Sequence, residues 1–158
     1  MRQDRRPGAC TLFLALALAF GVSEAQALFV INEPWVKVAA DGRSAEAYMR
    51  LTSTEGAKLI SAKSFAADRV VIRAPGRDRS APREVVLPAR QRVELAPGAY
   101  RIQLDGLTRK VELGTRIPLS LTIRNDDGRM QEISVEAEVR LHSPTEDESH
   151  PHHPGHTH

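Results

Sequence analysis

The chain has 158 residues, of which 41% are apolar and 27% are charged, and its formal net charge is +2. This length and balance fit one globular domain with additional segments. The small net charge argues against a nucleic-acid-binding protein, and an aromatic content of 4% argues against stacking platforms for single strands. We therefore expect no nucleic-acid partner.

The first 27 residues have the pattern of a secretory signal peptide. A basic start (Arg2, Arg5, Arg6) is followed by a short apolar run at residues 11–21 and by Ala25-Gln26-Ala27, which has the small-x-small form of a cleavage site. The apolar run is too short for a stable membrane-spanning helix. The alternative to a cleaved signal peptide is that this segment remains attached as an uncleaved anchor. We predict an exported, periplasmic protein that begins at Leu28 and has no membrane span after cleavage.

The only cysteine of the chain, Cys10, lies before the apolar run, whereas the cysteine of a lipid anchor follows one. Cleavage after Ala27 leaves the mature protein without a thiol. This excludes a disulfide scaffold, a cysteine nucleophile and a thiolate metal site in the mature chain.

Residues 28–141 show the period-two alternation of apolar and polar side chains that is typical of half-buried strands. The predicted strands are residues 29–32, 35–39, 47–54, 59–65, 70–73, 84–87, 92–95, 100–105, 117–124 and 135–141. Turn signals such as Asp41-Gly42 and Pro97-Gly98 separate them. The spacing predicts one all-β domain, a sandwich or Greek-key barrel. Its larger core residues are predicted to be Trp35, Tyr48, Met49, Phe65 and Tyr100.

Residues 142–158 have no apolar side chain that could anchor them except prolines, which predicts a disordered tail. All six histidines of the chain lie in this tail: His142, His150, His152, His153, His156 and His158. The predicted β domain has none. Any imidazole metal chemistry is therefore expected on the tail.

Neutral imidazole is a good ligand for Cu(II), zinc and nickel. Bends at Pro151, Pro154 and Gly155 would let three or four imidazoles reach one ion, and the short linkage gives each later ligand a high effective concentration. Because no methionine or cysteine is near, soft Cu(I) is disfavoured. We predict a metal site, with Cu(II) favoured over zinc or nickel, formed by His150, His152, His153, His156 and His158, with His142 as an outlying candidate. The alternatives are an expression tag or a merely solubilising tail.

Six segments of the β region follow the motif order of a known family. They are residues 35–37 (WVK), 45–51 (AEAYMRL), 59–62 (LISA), 93–100 (VELAPGAY), 104–107 (LDGL) and 113–121 (LGTRIPLSL). Together they resemble the PCu(A)C family of periplasmic copper chaperones. The resemblance implies a cupredoxin-like β-sandwich, export to the periplasm, and copper delivery to a partner in respiratory oxidase assembly.

The chain departs from this family at the positions of its Cu(I) ligands, which are two histidines and two methionines. The resemblance places one histidine at Arg73, one methionine in residues 74–82, which contain none, and an H-x-M pair at Arg101 and Gln103. A guanidinium has no lone pair to donate and repels a cation. Strand alternation places Arg101 and Gln103 on an exposed polar face. We therefore expect no family metal site in the β domain, and the tail resembles the His-rich extensions of some members that bind Cu(II).

Two functions are compatible with these features. The first is a periplasmic metal-binding protein that captures Cu(II) for copper delivery or buffering. The second is a periplasmic interaction module without metal on a degenerate copper-chaperone fold, which would use the arginines Arg73, Arg77, Arg79 and Arg101 unless they pair locally with Asp78 or Glu84. An enzyme is the least favoured class, because the β region has no histidine or cysteine, no G-x-S-x-G motif and no phosphate-binding glycine loop.

Overall fold

The computed structural model describes residues 28–76 and 84–144 of the chain. These residues form nine strands: β1 Phe29–Val38, β2 Ser44–Ser53, β3 Ala57–Lys63, β4 Ala67–Arg73, β5 Val85–Leu87, β6 Arg92–Leu95, β7 Arg101–Leu107, β8 Arg116–Asn125 and β9 Met130–Val139. Within the described ranges, no helix has the length and apolar composition needed to cross a bilayer. The predicted signal peptide at residues 1–27 lies outside them.

The strands form one continuous sheet in the order β4-β7-β2-β1-β9-β8-β3-β5, and β6 pairs with β2 beside this path. Among the described strands, β1 and β9 form a parallel ladder, while the other ladders are antiparallel. Ile72 on β4 and Val85 on β5 come from opposite ends of the path but belong to the same buried cluster. The sheet therefore curls around a single hydrophobic core.

Strand β8 shows why these sequences form half-buried strands. Ile117, Leu119, Leu121 and Ile123 are each no more than 2% exposed and face the core, while the residues between them face outward. Successive side chains of a strand point to opposite faces, so a period of two buries one complete set. Each such aliphatic side chain contributes about 1.5–3 kcal/mol when fully buried.

A β-bulge in β1 changes which residues face the core. Phe29 and Ile31 pack against the core in the first half of the strand, whereas Val36 and Val38 do so in the second half. The register with β2 shifts between Asn32 and Trp35, and Glu33 in the gap has a positive φ of 49°. Because a bulge inserts one extra residue, the side chains that face the core have odd residue numbers before the bulge and even residue numbers after it.

Phe65 is 98% exposed, so the prediction that it belongs to the core is wrong. Strand β3 ends at Lys63, and a register shift between Leu59 and Ser61 moves the inward position from Leu59 to Ala62. With this shift Phe65 no longer continues the inward set and lies in the turn before β4. The other predicted core residues are buried or half-buried, but two of them lie on a different face, as described below.

Candidate metal-binding surface

The positions that the family resemblance aligns with metal ligands lie together on the outer face of β4 and β7. Arg73 and Arg101 are register partners on these strands, and Gln103 follows two residues later on the same face. Arg73 Nε donates a hydrogen bond to Gln103 Oε1 at 2.9 Å, and Arg101 Nε donates to Glu46 Oε1 at 2.8 Å. The predicted polar face is confirmed, but the Arg101 side chain is only 23% exposed.

Further hydrogen bonds hold this cluster, which we call the arginine network (Glu46, Arg73, Arg101, Gln103, Asp105). Gln103 Nε2 donates to Asp105 Oδ1 at 2.8 Å, and Arg101 Nη1 donates to the carbonyl of Ala74 at 3.4 Å. The two guanidinium groups are donors without lone pairs. Residues 28–76 and 84–144 contain no group of three or more His, Cys, Asp and Glu side chains that could hold a metal ion. The network is therefore a set of side chains hydrogen-bonded to one another, with an ion pair between Arg101 and Glu46, and not a set of metal ligands.

Trp35 and Tyr48 pack over the next two strands of the same outer face. They are cross-strand partners on β1 and β2, with ring centroids 4.7 Å apart and planes tilted by 40°. Both are buried, as predicted, with exposures of 6% and 2%. They do not belong to the main core cluster, which contains their neighbours Val36 and Ala47 from the opposite face. They thus form a second, smaller apolar cluster outside the core.

The Tyr48 hydroxyl connects this aromatic pair to the arginine network by donating a hydrogen bond to Glu46 Oε2. Burial raises the pKa of the Tyr48 phenol above its ordinary value, and the hydrogen bond to the Glu46 carboxylate raises it further. Tyr48 therefore remains a protonated donor at physiological pH. A groove of about 340 Å³ lies beside it, with Lys37, Pro97 and Gln103 among its lining residues.

The C-terminal segment leaves the β domain next to these aromatic rings. The Arg140 amide donates to the Val36 carbonyl at 2.9 Å, which continues the parallel β1–β9 ladder by one bond. Ser143 then lines a small cleft together with Trp35 and Pro97. The tail therefore begins beside Trp35.

The structure describes one of the six predicted metal ligands. His142 is exposed and lines a shallow hollow with Leu113, Gly114 and Glu138. The other five predicted ligands, His150, His152, His153, His156 and His158, lie outside the described residues. The metal site on the tail therefore stays a prediction.

Glu84, a predicted partner of the arginine surface, accepts hydrogen bonds from Lys58 at 2.6 Å and from Arg124 at 2.5 Å. The hydrogen bond from Lys58 is the main reason that the pKa of Glu84 lies below its ordinary value, and the charge of Arg124 adds to it. Arg77, Asp78 and Arg79 lie outside the described residues.

Sequence reasoning missed Glu46 as the partner of Arg101. The two residues meet because the β2–β7 register places Glu46 opposite Gln103, two residues from Arg101 on the same face.

The tertiary structure resembles known copper-protein domains. It matches the apo PCuAC domain from PmoF1 with a TM-score of 0.62 and 21% identity, covering 73% of this chain and 98% of that domain. It matches the copper-bound PCuAC domain from PmoF2 with a TM-score of 0.58 and 21% identity, covering 72% of this chain and 97% of that domain. It matches the solution structure of CuI-DR1885 from Deinococcus radiodurans with a TM-score of 0.55 and 24% identity, covering 75% of this chain and 83% of that protein. These likenesses confirm the predicted all-β, cupredoxin-like fold.

At the level of sequence, no curated protein matches the chain. The family model LpqE-like, described as a lipoprotein family, matches residues 29–148, which include every strand of the domain. The chain shares its fold with the PCuAC domains from PmoF1 and PmoF2, and a family match over this much of the sequence shows that it belongs to the LpqE-like family.

Proposed function

We propose that this protein is a periplasmic metal-binding protein related to copper chaperones, and that it captures Cu(II) through the His-rich tail. The observation that carries the proposal is the distribution of imidazole, because all six histidines lie at or after position 142. Two structural neighbours are the copper-bound PCuAC domain from PmoF2 and CuI-DR1885, which supports copper as the metal. Membership of a family described as lipoproteins supports export by the signal peptide predicted at residues 1–27.

The arginine network supports assigning the metal to the tail and not to the β domain. Arg73 and Arg101 occupy positions where the family resemblance places histidines, and the network holds both guanidinium groups in hydrogen bonds. Two fixed cations disfavour the binding of a third at short range. In this proposal the β domain carries the tail and presents it to a recipient, which the family resemblance suggests is a protein of respiratory oxidase assembly.

Trp35 provides a built-in reporter for metal on the tail. It is the only tryptophan of the chain, and Ser143 lies beside it. His150 is seven residues beyond Ser143, a distance of at most about 25 Å even for a fully extended chain. Bound Cu(II) has a partly filled d shell and quenches the fluorescence of an indole that lies close to it, and this linkage is short enough to permit a close approach. Zn(II) has a filled d shell and binds without quenching.

We expect Cu(II) to quench Trp35 fluorescence in the mature protein with a sharp stoichiometric end point. Replacing His150, His152, His153, His156 and His158 with serine should weaken the binding at least about tenfold, because these residues supply the imidazole ligands. The matched control is His142→Ser, which should change the binding of Cu(II) little. Fluorescence titrations of the three proteins in a weakly competing buffer measure the effect, and equal quenching curves would remove the tail as the metal site.

The affinity for Cu(II) is expected to fall as the pH decreases. A tail imidazole with the ordinary pKa of about 6.5 is neutral and able to coordinate above that value, and it is protonated and unable to coordinate below it. With several imidazoles bound, the affinity should fall more than about tenfold between pH 7.5 and pH 5.5. Calorimetric titrations at the two pH values check this, and a flat profile would indicate carboxylate ligands from Glu146, Asp147 and Glu148 instead.

The second candidate function is a periplasmic interaction module without metal. The observation that favours it is the arginine network, in which half-buried, hydrogen-bonded side chains stand at the positions where the family resemblance places metal ligands. This candidate predicts that the serine-substituted tail leaves the binding of a partner protein unchanged, while Arg101→Ala abolishes it. Comparing the two variants in pull-downs of periplasmic proteins separates the two functions.

A further inference from the structure

A groove on the outer face of the sheet, formed by residues that belong neither to the tail nor to the arginine network, has the composition of a docking surface. It lies where the turn after β3 meets β8 and β9, and its volume is about 550 Å³. Phe65 stands at one side with 98% of its surface exposed. The Ser64 hydroxyl donates a hydrogen bond to the Pro118 carbonyl at 2.6 Å and thereby ties this turn to β8.

The turn residue Phe65 is unlike the other exposed apolar residues. The other exposed large apolar side chains of the described residues are 37–62% exposed, whereas Phe65 has almost no protein contact. A large aromatic side chain that packs against nothing within its own domain is a common feature of binding surfaces. Pro118, which is also exposed, lines the same groove and adds rigid apolar surface next to it.

The opposite wall of the groove is acidic. Glu132 and Glu136 are both exposed and line it from the outer face of β9, with Ser134 between them. Glu136 lies opposite Pro118 in the β8–β9 register, and Glu132 accepts a hydrogen bond from the Ser120 hydroxyl. Lys63 is the one cation among the residues described around the groove. The groove is therefore net negative, although the whole chain has a net charge of +2.

The charge of the groove selects among the occupants that it could accept. The tail of this chain carries Glu146, Asp147 and Glu148, which Glu132 and Glu136 would repel. A basic segment has the complementary charge. Glu132 and Glu136 are four residues apart on one face of a strand, about 13 Å, which is also the spacing of two residues four apart in an extended peptide.

We propose that this groove binds an extended basic segment of a partner protein. Two arginine or lysine side chains four residues apart contact Glu132 and Glu136, and an aliphatic or proline residue between them packs against Phe65 and Pro118. The proposal goes beyond metal capture and does not depend on it, because none of these residues belongs to the tail or to the arginine network.

The test uses metal-free mature protein and two synthetic peptides. One is acetyl-Gly-Arg-Val-Pro-Val-Arg-Gly-amide, and the other has glutamate in place of both arginines. In amide NMR spectra, the basic peptide should shift the signals of residues 64–65 and 132–136 in a saturable manner, and the acidic peptide should not. The double variant Glu132→Gln with Glu136→Gln and the variant Phe65→Ser should each raise the Kd at least about fivefold.

The matched controls are Glu112→Gln and Leu113→Ser, which remove the same kinds of group from exposed positions outside the groove. They should leave the Kd unchanged, and unchanged melting temperatures show that every variant is folded. Absence of saturable shifts, shifts centred elsewhere, or equal Kd values for the groove and control variants would each overturn the proposal. Concentration-dependent shifts of the same amides without peptide would assign the groove to a second copy of this chain and would also overturn it.

Discussion

Replacing Arg73 and Arg101 with histidine and Gln103 with methionine is expected to raise the affinity of the β domain for Cu(I) at least about 100-fold. The three positions already converge, because Arg73 and Arg101 are register partners and Arg73 Nε lies 2.9 Å from Gln103 Oε1. Substitution removes two permanent cations and introduces two imidazoles and a thioether, a donor set that suits soft Cu(I). Glu46 would then lose its arginine partner, keep the hydrogen bond from Tyr48, and add a negative charge nearby.

This triple substitution is best tested in a protein whose five terminal histidines, from His150 to His158, are serine, so that the tail does not contribute. Competition with a chromophoric Cu(I) chelator measures the affinity. The matched control is Arg116→His on β8, which introduces an imidazole at an exposed position away from the network. If the triple variant competes no better than this control, the outer face of β4 and β7 does not present its side chains in a geometry that can coordinate copper.

Leu121→Ala is expected to lower the free energy of unfolding by about 3 kcal/mol. Leu121 is fully buried on β8, and truncation of such a residue loses transfer free energy and leaves a cavity into which the neighbouring side chains relax only partly. Urea denaturation followed by circular dichroism measures the difference. The matched control is Phe65→Ala, which removes a larger side chain from a 98% exposed position and should change stability by less than about 0.5 kcal/mol.

A comparable loss of stability in the two variants would contradict the assignment of Phe65 to the surface. It would mean that the turn after β3 packs inward in solution. The two variants therefore test the structure at Phe65, the position where the predicted core and the observed core disagree most.

The fold could be predicted from the sequence because the strands have two distinct faces. Residues 117–124 alternate strictly, and β8 buries the predicted set. The alternation does not reveal bulges, since one extra residue reverses the faces without changing the composition of a segment. This is why Phe65 was placed in the core and why the change of face within β1 was not foreseen.

Trp35 and Tyr48 show a second limit of prediction from the sequence. Their size correctly predicts burial, but a strand has two faces and both can be covered. In β2, Ala47 and Met49 face the main core while Tyr48 packs with Trp35 on the outer face. Which face holds the larger core depends on the neighbouring strands and not on the size of a single residue.

The candidate site was predictable only in its parts. Resemblance placed Arg73, Arg101 and Gln103 at the ligand positions, but the partner of Arg101 is Glu46, which is 55 residues away. That pairing depends on the register of β2 against β7, which a single sequence does not define. The histidines of the tail are different, because their grouping is local in sequence and needs no tertiary contact to be recognised.

The parallel ladder between β1 and β9 joins the first and last strands of the domain. Trp35 pairs with Glu138 and Val36 with Val139, so the ladder closes a loop that contains all the other strands. Closing so long a loop is slow, because the entropy of ordering the chain is lost before the contacts form. A nascent chain that leaves a ribosome or a translocation channel with its N-terminus first must therefore wait for its final strand before the fold is complete. During that interval the edge of β1 that faces β9 has no strand partner, although β2 can already pair with its other edge, and this open edge is accessible to holding chaperones.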